Sequence, residues 1–395
     1  MHINININKL LSLLLVIVLL FQISPLNISA EEDLTYEPNI HLNTQFDCKS
    51  VILIEATTGK VLFEQNADIP LPPASVTKIM TLLLVMEAIN KERIKLTDMV
   101  TASANACAMG GSQIYLKEGE EMSVEDLIKS VVIASANDAA VALAEYVEGS
   151  EDSFIKKMND KAEELGMSQT NFENTNGLDD TATNHKTSAR DIAIMSKELL
   201  KYDIITEYSS IWMDTIRNGE FGLTNTNRLI RFYKGATGLK TGSTSKAGFC
   251  ISATAQRDNL SLICVVMAAP TRDTRNQIAK ELFDWGFSNF SLYKDNGNNI
   301  DNIYVSGGID SFAEGYYNDF NCVLNKATTK NITKEIKIFE DLSAPIKNNT
   351  KIGEVIYKTG DKTVGKSDIY IKKDIEKITF LKIFSKILSK IILAS

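Results

Sequence analysis

Strand patterns stand at both ends of the first three quarters of the chain, and the segment between them is helical. Ser50–Glu55 and residues 60–63 are short apolar runs on either side of a Thr-Thr-Gly hairpin signal. Residues 248–256 and 260–267 are two longer apolar runs joined by a polar turn. The outer strands can pair only if the two ends of this region meet in one sheet. Strands at both ends with helices between them therefore predict an α+β core.

The helical segment contains apolar runs with recognisable start and stop signals. Ser188 with Asp191 is typical of a helix-capping pair, and Gly166 stands where a C-cap glycine is expected. A further helix follows the second pair of strands. The predicted helices are residues 74–89, 126–147, 151–165, 188–200 and 275–287.

The composition changes near Asn289. Residues 295–374 are polar and rich in Asn and Lys, with short alternating runs separated by glycine turns. This pattern predicts a small all-β domain. Residues 377–395 then form an amphipathic helix whose polar arc is about 140° wide. That arc carries Lys382, Lys386 and Lys390, opposite Phe, Ile and Leu side chains.

The basic terminal helix is typical of a helix that lies on a membrane surface as an anchor. The alternative is a helix packed against its own domain. At the other end, residues 1–30 have Lys9, an apolar run over 10–21 and a small residue at Ala30. They resemble a secretory signal peptide, the alternative being an uncleaved anchor. We expect an extracytoplasmic protein on the outer face of the cytoplasmic membrane.

Charge and metal-ligand patterns exclude several function classes. The formal net charge is −8, although residues 371–395 carry six lysines and two carboxylates. The rest of the chain is therefore acidic, which argues against nucleic acid as a partner. Three His and five Cys are scattered and form neither C-x-x-C nor H-E-x-x-H, so we expect no metal and no cofactor. Cys250 and Cys264 flank the predicted hairpin and either pair or stay as buried free thiols.

Ser75 and Lys78 begin the first long predicted helix, three positions apart. This spacing places both side chains on one face of the helix, within reach of each other. A serine hydroxyl needs a base to become a nucleophile, and a lysine can serve if burial lowers its pKa. The start of the helix adds N–H groups that favour a developing anion.

Two further motifs follow in order. In Ser135-Ala136-Asn137, the serine can pass on a proton and the amide can bind a substrate peptide group. Lys240-Thr241-Gly242 precedes a predicted strand, where a cation, a hydroxyl and a close backbone approach suit an anionic substrate end along a sheet edge. Each motif alone is weak, but the ordered set is far more specific.

The three motifs, with LPPAS, MGGS, IASANDA and GLKTG around them, resemble those of the serine-type D-alanyl-D-alanine carboxypeptidases, which are low-molecular-mass penicillin-binding proteins. The likeness is strong over residues 47–290. It implies a β-lactamase/transpeptidase-like fold, an antiparallel sheet with helices on both faces, in a D,D-peptidase domain over residues 31–290. The β-rich region and the terminal helix resemble the family's second domain and membrane anchor in arrangement.

The resemblance also implies a mechanism. Ser75 attacks the carbonyl between the two terminal D-alanines of a peptidoglycan stem peptide, water later hydrolyses the acyl-enzyme, and β-lactam antibiotics acylate the same serine. The oxyanion would be bound by backbone N–H groups of Ser75 and Ser243. The implied catalytic residues are Ser75, Lys78 and Ser135, and the implied substrate-binding residues are Asn137, Lys240, Thr241, Gly242, Ser243 and Arg275. For Arg275 the alternative is a surface salt bridge.

Alternatives use the same residues. A β-lactamase needs a carboxylate to activate water; Glu173 is a candidate, but its surroundings lack the E-x-x-L-N pattern. A D,D-endopeptidase would cut cross-links with the same site, and a non-enzymatic wall-binding or drug-sensing protein would retain the motifs without turnover. Residues 174–178 depart from the family pattern, and we expect this departure to affect a loop rather than the nucleophile.

Overall fold

The computed structural model describes residue 40, residues 42–179 and residues 182–393. The predicted signal peptide over residues 1–30 lies outside these described residues. The strands are β1 (Ser50–Glu55), β2 (Val61–Gln65), β3 (Met99–Thr101), β4 (Glu121–Ser123), β5 (Met213–Ile216), β6 (Phe221–Thr224), β7 (Ala236–Thr244), β8 (Gly248–Arg257), β9 (Leu260–Ala269), β10 (Phe290–Asp295), β11 (Asn298–Tyr304), β12 (Phe312–Tyr317), β13 (Phe320–Asn325), β14 (Ile332–Ile338), β15 (Lys351–Thr359) and β16 (Lys362–Ile371).

Most helices belong to the first two thirds of the chain. The α-helices are α1 (Lys78–Asn90), α2 (Ala104–Cys107), α3 (Val124–Lys129), α4 (Asn137–Glu148), α5 (Glu151–Glu164), α6 (Ala189–Leu199), α7 (Asp203–Ser209), α8 (Leu229–Phe232), α9 (Arg272–Asn289) and α10 (Phe380–Leu393). Short 3-10 turns cover Ala74–Thr77, Arg217–Gly219 and Thr329–Asn331, and a π turn covers Ser130–Ala134.

The central sheet has the order β2-β1-β9-β8-β7, and every neighbouring pair is antiparallel. Strand β1 pairs along its whole length with β9, Ser50 opposite Met267. The prediction that the two ends of the region meet in one sheet is therefore confirmed. Strand β7, which carries the Lys-Thr-Gly motif, lies at one edge.

Helices cover both faces of this sheet. Because side chains alternate along a strand, Ile52 and Ile54 pack into the larger cluster with the helices from α1 to α6. Val51 and Leu53 point to the opposite face and pack with Phe283 of α9. Because helices pack on both faces of an antiparallel sheet, this domain has the predicted α+β fold.

One predicted helix is wrong in its continuity. Residues 126–147 were expected to form a single helix, but the structure divides them into α3, the π turn and α4. The break falls at Ser135, whose φ is +65°, in the left-handed region. The first turn of α4 therefore starts anew at Asn137.

The cysteine alternatives are also resolved. Cys250 and Cys264 are both buried and both free thiols. Cys250 accepts a hydrogen bond from the Ala268 N–H at 3.4 Å. Burial raises the pKa of the Cys250 thiol to about 11, so the thiol is protonated at neutral pH.

The second domain is all-β, as predicted. A five-stranded antiparallel sheet has the order β11-β12-β16-β15-β14, and β10 pairs with β13 beside it. Its core includes the fully buried Tyr357, whose ring stacks on Phe320 at 4.0 Å between centroids. The chain then leaves through a bridge between Gly308 and Lys377 and enters α10. Within the described residues, none of the helices has the length and apolar character needed to cross a membrane.

Candidate active site

Ser75 lies in the tight turn that leads into α1. The turn is a 3-10 helix over Ala74–Thr77, and Lys78 is the first residue of α1. Ala74 has a φ of +49°, a left-handed conformation that is unusual for a residue with a side chain and that clusters at functional sites. The Lys78 Nζ lies 2.9 Å from the Ser75 Oγ. The predicted nucleophile and base are therefore in contact.

The Lys78 side chain is completely buried among polar atoms. Besides Ser75, its Nζ donates to Asn137 Oδ1 at 2.6 Å and to the Asn176 carbonyl at 2.7 Å. Burial holds the pKa of Lys78 well below its usual value, the charge of Lys240 lowers this pKa further, and the Asp138 carboxylate opposes both effects. The site thus favours an uncharged amine beside the Ser75 hydroxyl.

The break between the π turn and α4 brings the second motif to the same place. The Asn137 amide bridges two segments, because its Oδ1 accepts from Lys78 and its Nδ2 donates to the Gly110 carbonyl at 2.6 Å. A Cβ at Gly111 would lie 2.8 Å from Asn137 Nδ2, so the glycine permits this approach. Ser135 points from its left-handed turn toward β7.

Lys240 on β7 completes the group. Its Nζ donates to Ser135 Oγ at 2.8 Å and to the Thr241 carbonyl at 3.0 Å, and the side chain is buried. Burial, with a smaller contribution from the positive charge of Arg275, lowers the pKa of Lys240 to about 7. The Thr241 Oγ1 donates to Thr226 Oγ1 at 2.8 Å.

Arg275 lies at the start of α9 and is buried, not on the surface. Its guanidinium donates to Asn276 Oδ1 and to the Cys250 carbonyl. In the part of the chain that the structure describes, no carboxylate forms an ion pair with it. Burial lowers the pKa of Arg275 to about 10, which leaves it charged at neutral pH.

The edge strand approaches the nucleophile most closely at Gly242. A Cβ at this position would lie 2.8 Å from the Ser75 N and 2.9 Å from the Pro73 carbonyl oxygen. Only glycine fits here without a shift of the backbone. Ser243 follows Gly242 on this edge strand.

Sequence reasoning missed the contribution of residues 174–178. These residues were expected to affect a loop only, but the Asn176 carbonyl accepts a hydrogen bond from the Lys78 amine. The loop is held by Asn174, whose Oδ1 accepts from the Gly177 N–H at 2.7 Å. Gly177 has a φ of +86°, and a Cβ there would lie 1.9 Å from the Ala74 carbonyl oxygen. The Asn-Gly pair was a signal for this tight approach.

A second missed feature lies behind the nucleophile turn. The Glu173 N–H donates to His185 Nδ1 at 2.9 Å, so the other ring nitrogen carries the proton. That Nε2 lies 2.7 Å from Thr77 Oγ1, which in turn donates to the Ala74 carbonyl. Burial lowers the pKa of His185 to about 4, against the opposing charges of Glu173 and Asp179. A neutral imidazole thus supports the turn that carries Ser75.

Within the described residues there is no cluster of three or more His, Cys, Asp or Glu side chains that could hold a metal ion. The Glu173 carboxylate accepts hydrogen bonds from the Thr183 and Asn184 N–H groups at 2.8 and 2.9 Å. It therefore supports its own loop, and its described contacts do not include the Ser75 hydroxyl.

Comparison with known proteins identifies relatives of both domains. The family profile described as D-alanyl-D-alanine carboxypeptidase matches residues 37–271, and a penicillin-binding protein 5 C-terminal domain profile matches residues 287–377. The D-alanyl-D-alanine carboxypeptidase DacF of Bacillus subtilis is 41% identical over 385 residues, which cover 95% of this chain and 97% of the relative.

Solved structures are similar over both domains or over the first alone. Penicillin-binding protein 5 of Haemophilus influenzae superimposes with a TM-score of 0.76 at 30% identity, over 86% of this chain and 100% of that one. Penicillin-binding protein D2 of Listeria monocytogenes in its ampicillin-bound form has a TM-score of 0.58 at 31% identity. It covers 62% of this chain and 100% of its own.

Proposed function

The chain belongs to the D-alanyl-D-alanine carboxypeptidase family and is a serine-type D-Ala-D-Ala carboxypeptidase, and we propose that Ser75 is its nucleophile. The observation that carries this assignment is the contact of Ser75 with the buried Lys78, which also donates to Asn137, while a second contact joins Lys240 to Ser135. The substrate is a peptidoglycan stem peptide ending in D-Ala-D-Ala. Penicillin acylates the same serine.

Lys78 acts as the general base in its uncharged form. A neutral amine has two N–H groups and one lone pair. The Asn137 Oδ1 and the Asn176 carbonyl can accept from the two N–H groups, which leaves the lone pair for the Ser75 hydroxyl proton. As the Ser75 Oγ forms a bond to the substrate carbonyl carbon, Lys78 takes that proton.

Collapse of the tetrahedral intermediate breaks the C–N bond to the terminal D-Ala, whose nitrogen must receive a proton. Lys240 donates to Ser135 Oγ, so the Ser135 O–H remains available to protonate the leaving amine. The proton that Ser135 gives away is replaced from Lys78. Lys78 is then neutral again and can activate the water that hydrolyses the acyl-enzyme.

The substrate is bound at both sides of the scissile bond. Lys240 and Thr241 bind the terminal carboxylate, and the buried charge of Arg275 adds to the local positive potential. Asn137 holds the peptide backbone upstream. The N–H groups of Ser75 and Ser243 bind the developing oxyanion, and the glycine at position 242 permits their approach.

The test combines a fluorescent penicillin with an assay for released D-Ala. We expect wild type to form one covalent adduct and to release D-Ala from an acyl-D-Ala-D-Ala peptide, whereas Ser75→Ala does neither. Ser210→Ala is the matched control, because that hydroxyl donates only to the Glu207 carbonyl among the described contacts. An adduct that persists in Ser75→Ala, or labelling without D-Ala release in wild type, would contradict the assignment.

We further propose that the enzyme is secreted and bound to the outer face of the cytoplasmic membrane. The family's substrate, peptidoglycan, is extracytoplasmic. Helix α10 supports the second part of the proposal, because Phe380 and Leu381 are 79% and 78% exposed and Phe384 is also exposed. The same helix carries the three lysines of the polar arc, so it combines apolar and basic faces suited to an anionic lipid surface.

A further inference from the structure

The edge of β7 is a place where an extended peptide can add as a further strand. Part of this edge is already occupied. The Asn227 Nδ2 donates to the Gly238 carbonyl at 2.7 Å, and the Ser209 Oγ donates to the Thr237 carbonyl at 2.5 Å. A substrate can therefore pair with β7 only beyond these two carbonyls, beside the Lys-Thr-Gly motif.

Residues 225–227, which we call the groove bridge, also connect the Ser135 turn with the edge strand β7, and we call the space between these two segments the active-site groove. The Thr226 N–H donates to the Ile133 carbonyl at 3.1 Å, two residues before Ser135. The Thr226 Oγ1 accepts from Thr241 on β7. Asn227 continues the link to Gly238. The bridge therefore spans from the Ser135 turn to the edge strand.

The bridge is a firmly built segment. Asn225 and Asn227 are buried polar residues, and each amide forms hydrogen bonds through both its Nδ2 and its Oδ1. The Asn225 Nδ2 donates to the Ser209 and Ile211 carbonyls, and its Oδ1 accepts from the Asn227 N–H at 2.9 Å. To move the bridge out of the groove would break these bonds and leave buried donors unpaired, which is costly.

The position of the bridge has a consequence for substrate length. The proposed carboxylate ligands, Lys240 and Thr241, lie next to it, and Thr241 contacts it directly. A terminal carboxylate can end against this wall. If the terminal carboxylate binds at Thr241, a residue added after the terminal D-Ala extends toward Thr226, whose hydroxyl Thr241 contacts.

We propose that the groove bridge is the specificity element that limits this enzyme to peptides with a free terminal D-Ala, and that excludes the internal D-Ala bonds of cross-linked peptides. This inference rests on the proposed function of the site. It assigns Thr226 a role in substrate selection by exclusion rather than in the chemical steps.

The experiment compares two peptides, acyl-D-Ala-D-Ala and acyl-D-Ala-D-Ala-Gly. Cleavage between the two D-alanines is followed by chromatography, as released D-Ala or D-Ala-Gly. For wild type we expect a kcat/KM preference of about a hundredfold or more for the shorter peptide. Comparable rates in wild type would overturn the proposal without any variant.

Two variants then test the bridge itself. Thr226→Gly removes the side chain from the groove and should reduce the preference about tenfold or more, through faster cleavage of the longer peptide. Thr226→Val keeps the shape, so it should keep the preference whatever it does to the rate. An unchanged preference in Thr226→Gly, with normal penicillin labelling, would refute the role of the bridge. Failure of the proposed function is distinguishable, since it would appear as turnover or labelling that survives Ser75→Ala.

Discussion

At the scale of single residues, two buried lysines have opposite tasks in the proposed mechanism. There Lys78 must be neutral to accept the Ser75 proton, whereas Lys240 must be charged to bind a carboxylate. Burial lowers the pKa of both. Each lysine also has a cation nearby, since the charge of Lys240 adds to the lowering of the Lys78 pKa and the charge of Arg275 adds to the lowering of the Lys240 pKa. The pKa of about 7 for Lys240 leaves it partly charged at neutral pH.

The pKa of Lys240 predicts the alkaline side of the pH profile of activity. Above about pH 7 the free enzyme loses the Lys240 charge, so kcat/KM on acyl-D-Ala-D-Ala should fall as the pH rises. Arg275→Gln removes the repelling cation and should move this decline to higher pH. Arg272→Gln is the control, because Arg272 is exposed on the same helix turn. A decline that stays in place in Arg275→Gln, or moves to lower pH, would contradict the electrostatic role.

His185 gives a second pH dependence, this time of stability. Its pKa is about 4 in the folded protein and near 6.5 in the unfolded chain. Between these values the unfolded chain binds a proton that the folded protein does not, so the free energy of unfolding should decrease as the pH falls. The full loss is roughly 3 kcal/mol by pH 4, with no contribution above pH 7.

The measurement is urea denaturation at pH 7 and pH 4.5. His185→Gln should reduce the difference between the two pH values, because the glutamine amide does not titrate. Thr77→Val loses the hydroxyl that faces the imidazole but keeps the titrating ring, so its pH dependence should remain. An equal pH dependence in wild type and His185→Gln would show that other groups cause it.

At the scale of elements, the sequence predicted helices and strands where periodicity and caps were clear. The Ser188 cap and the glycine after α5 are in place, since the Ser188 side chain accepts from the Asp191 N–H and Gly166 has a φ of +71°. The break at Ser135 was missed, because neither Gly nor Pro marks it. The apolar residues on both sides continue a helical pattern, and the contact of Ser135 with Lys240 comes from a strand more than a hundred positions later.

The loop over residues 174–178 was the other element that sequence alone could not place. Its Asn-Gly pair indicates a tight turn, but nothing in the sequence says that the turn packs on residues a hundred positions earlier. The contacts that place it are long-range. The Thr81 Oγ1 donates to the Thr175 carbonyl at 2.5 Å, and the Glu151 carboxylate accepts from the Thr175 hydroxyl at 2.8 Å.

Gly177→Ala tests whether this loop sets the geometry of the nucleophile turn. The new Cβ would meet the Ala74 carbonyl at 1.9 Å, so we expect a loss of about 3 kcal/mol or more in the free energy of unfolding. Penicillin acylation should also slow. Gly149→Ala is the matched control, with a φ of +80° but no atom within 4 Å of the new Cβ, and should cost about 1 kcal/mol. Equal effects of the two substitutions would argue against the contact.

On the scale of the whole molecule, the catalytic groups and the proposed anchor lie in different parts of the chain. The motifs belong to the central sheet and the helices on its face, whereas α10 follows the second, all-β domain. Strand β10 leaves α9 and pairs with β13 of the second domain, which joins the two domains directly. The amphipathic pattern of the tail was readable from the sequence because it depends on residue spacing alone. The domain contacts were not, because they depend on strand pairing.

This separation predicts that the tail can be removed without loss of catalysis. A chain that ends after Thr379 keeps the hydrogen bond from the Ile378 N–H to the Gly307 carbonyl and loses α10. Burial of each large apolar side chain contributes roughly 1.5–3 kcal/mol when complete, and each lysine near an anionic surface adds about 1 kcal/mol. Full-length protein should therefore sediment with phosphatidylglycerol vesicles and only partly dissociate in high salt, while the shortened chain stays in solution. Turnover of soluble acyl-D-Ala-D-Ala should be equal in the two proteins.

Phe380→Ser with Phe384→Ser in the full-length chain is the matched control and should weaken sedimentation while the lysines remain. Sedimentation of the shortened chain would place the membrane contact elsewhere, and a loss of its soluble turnover would make α10 part of the catalytic fold.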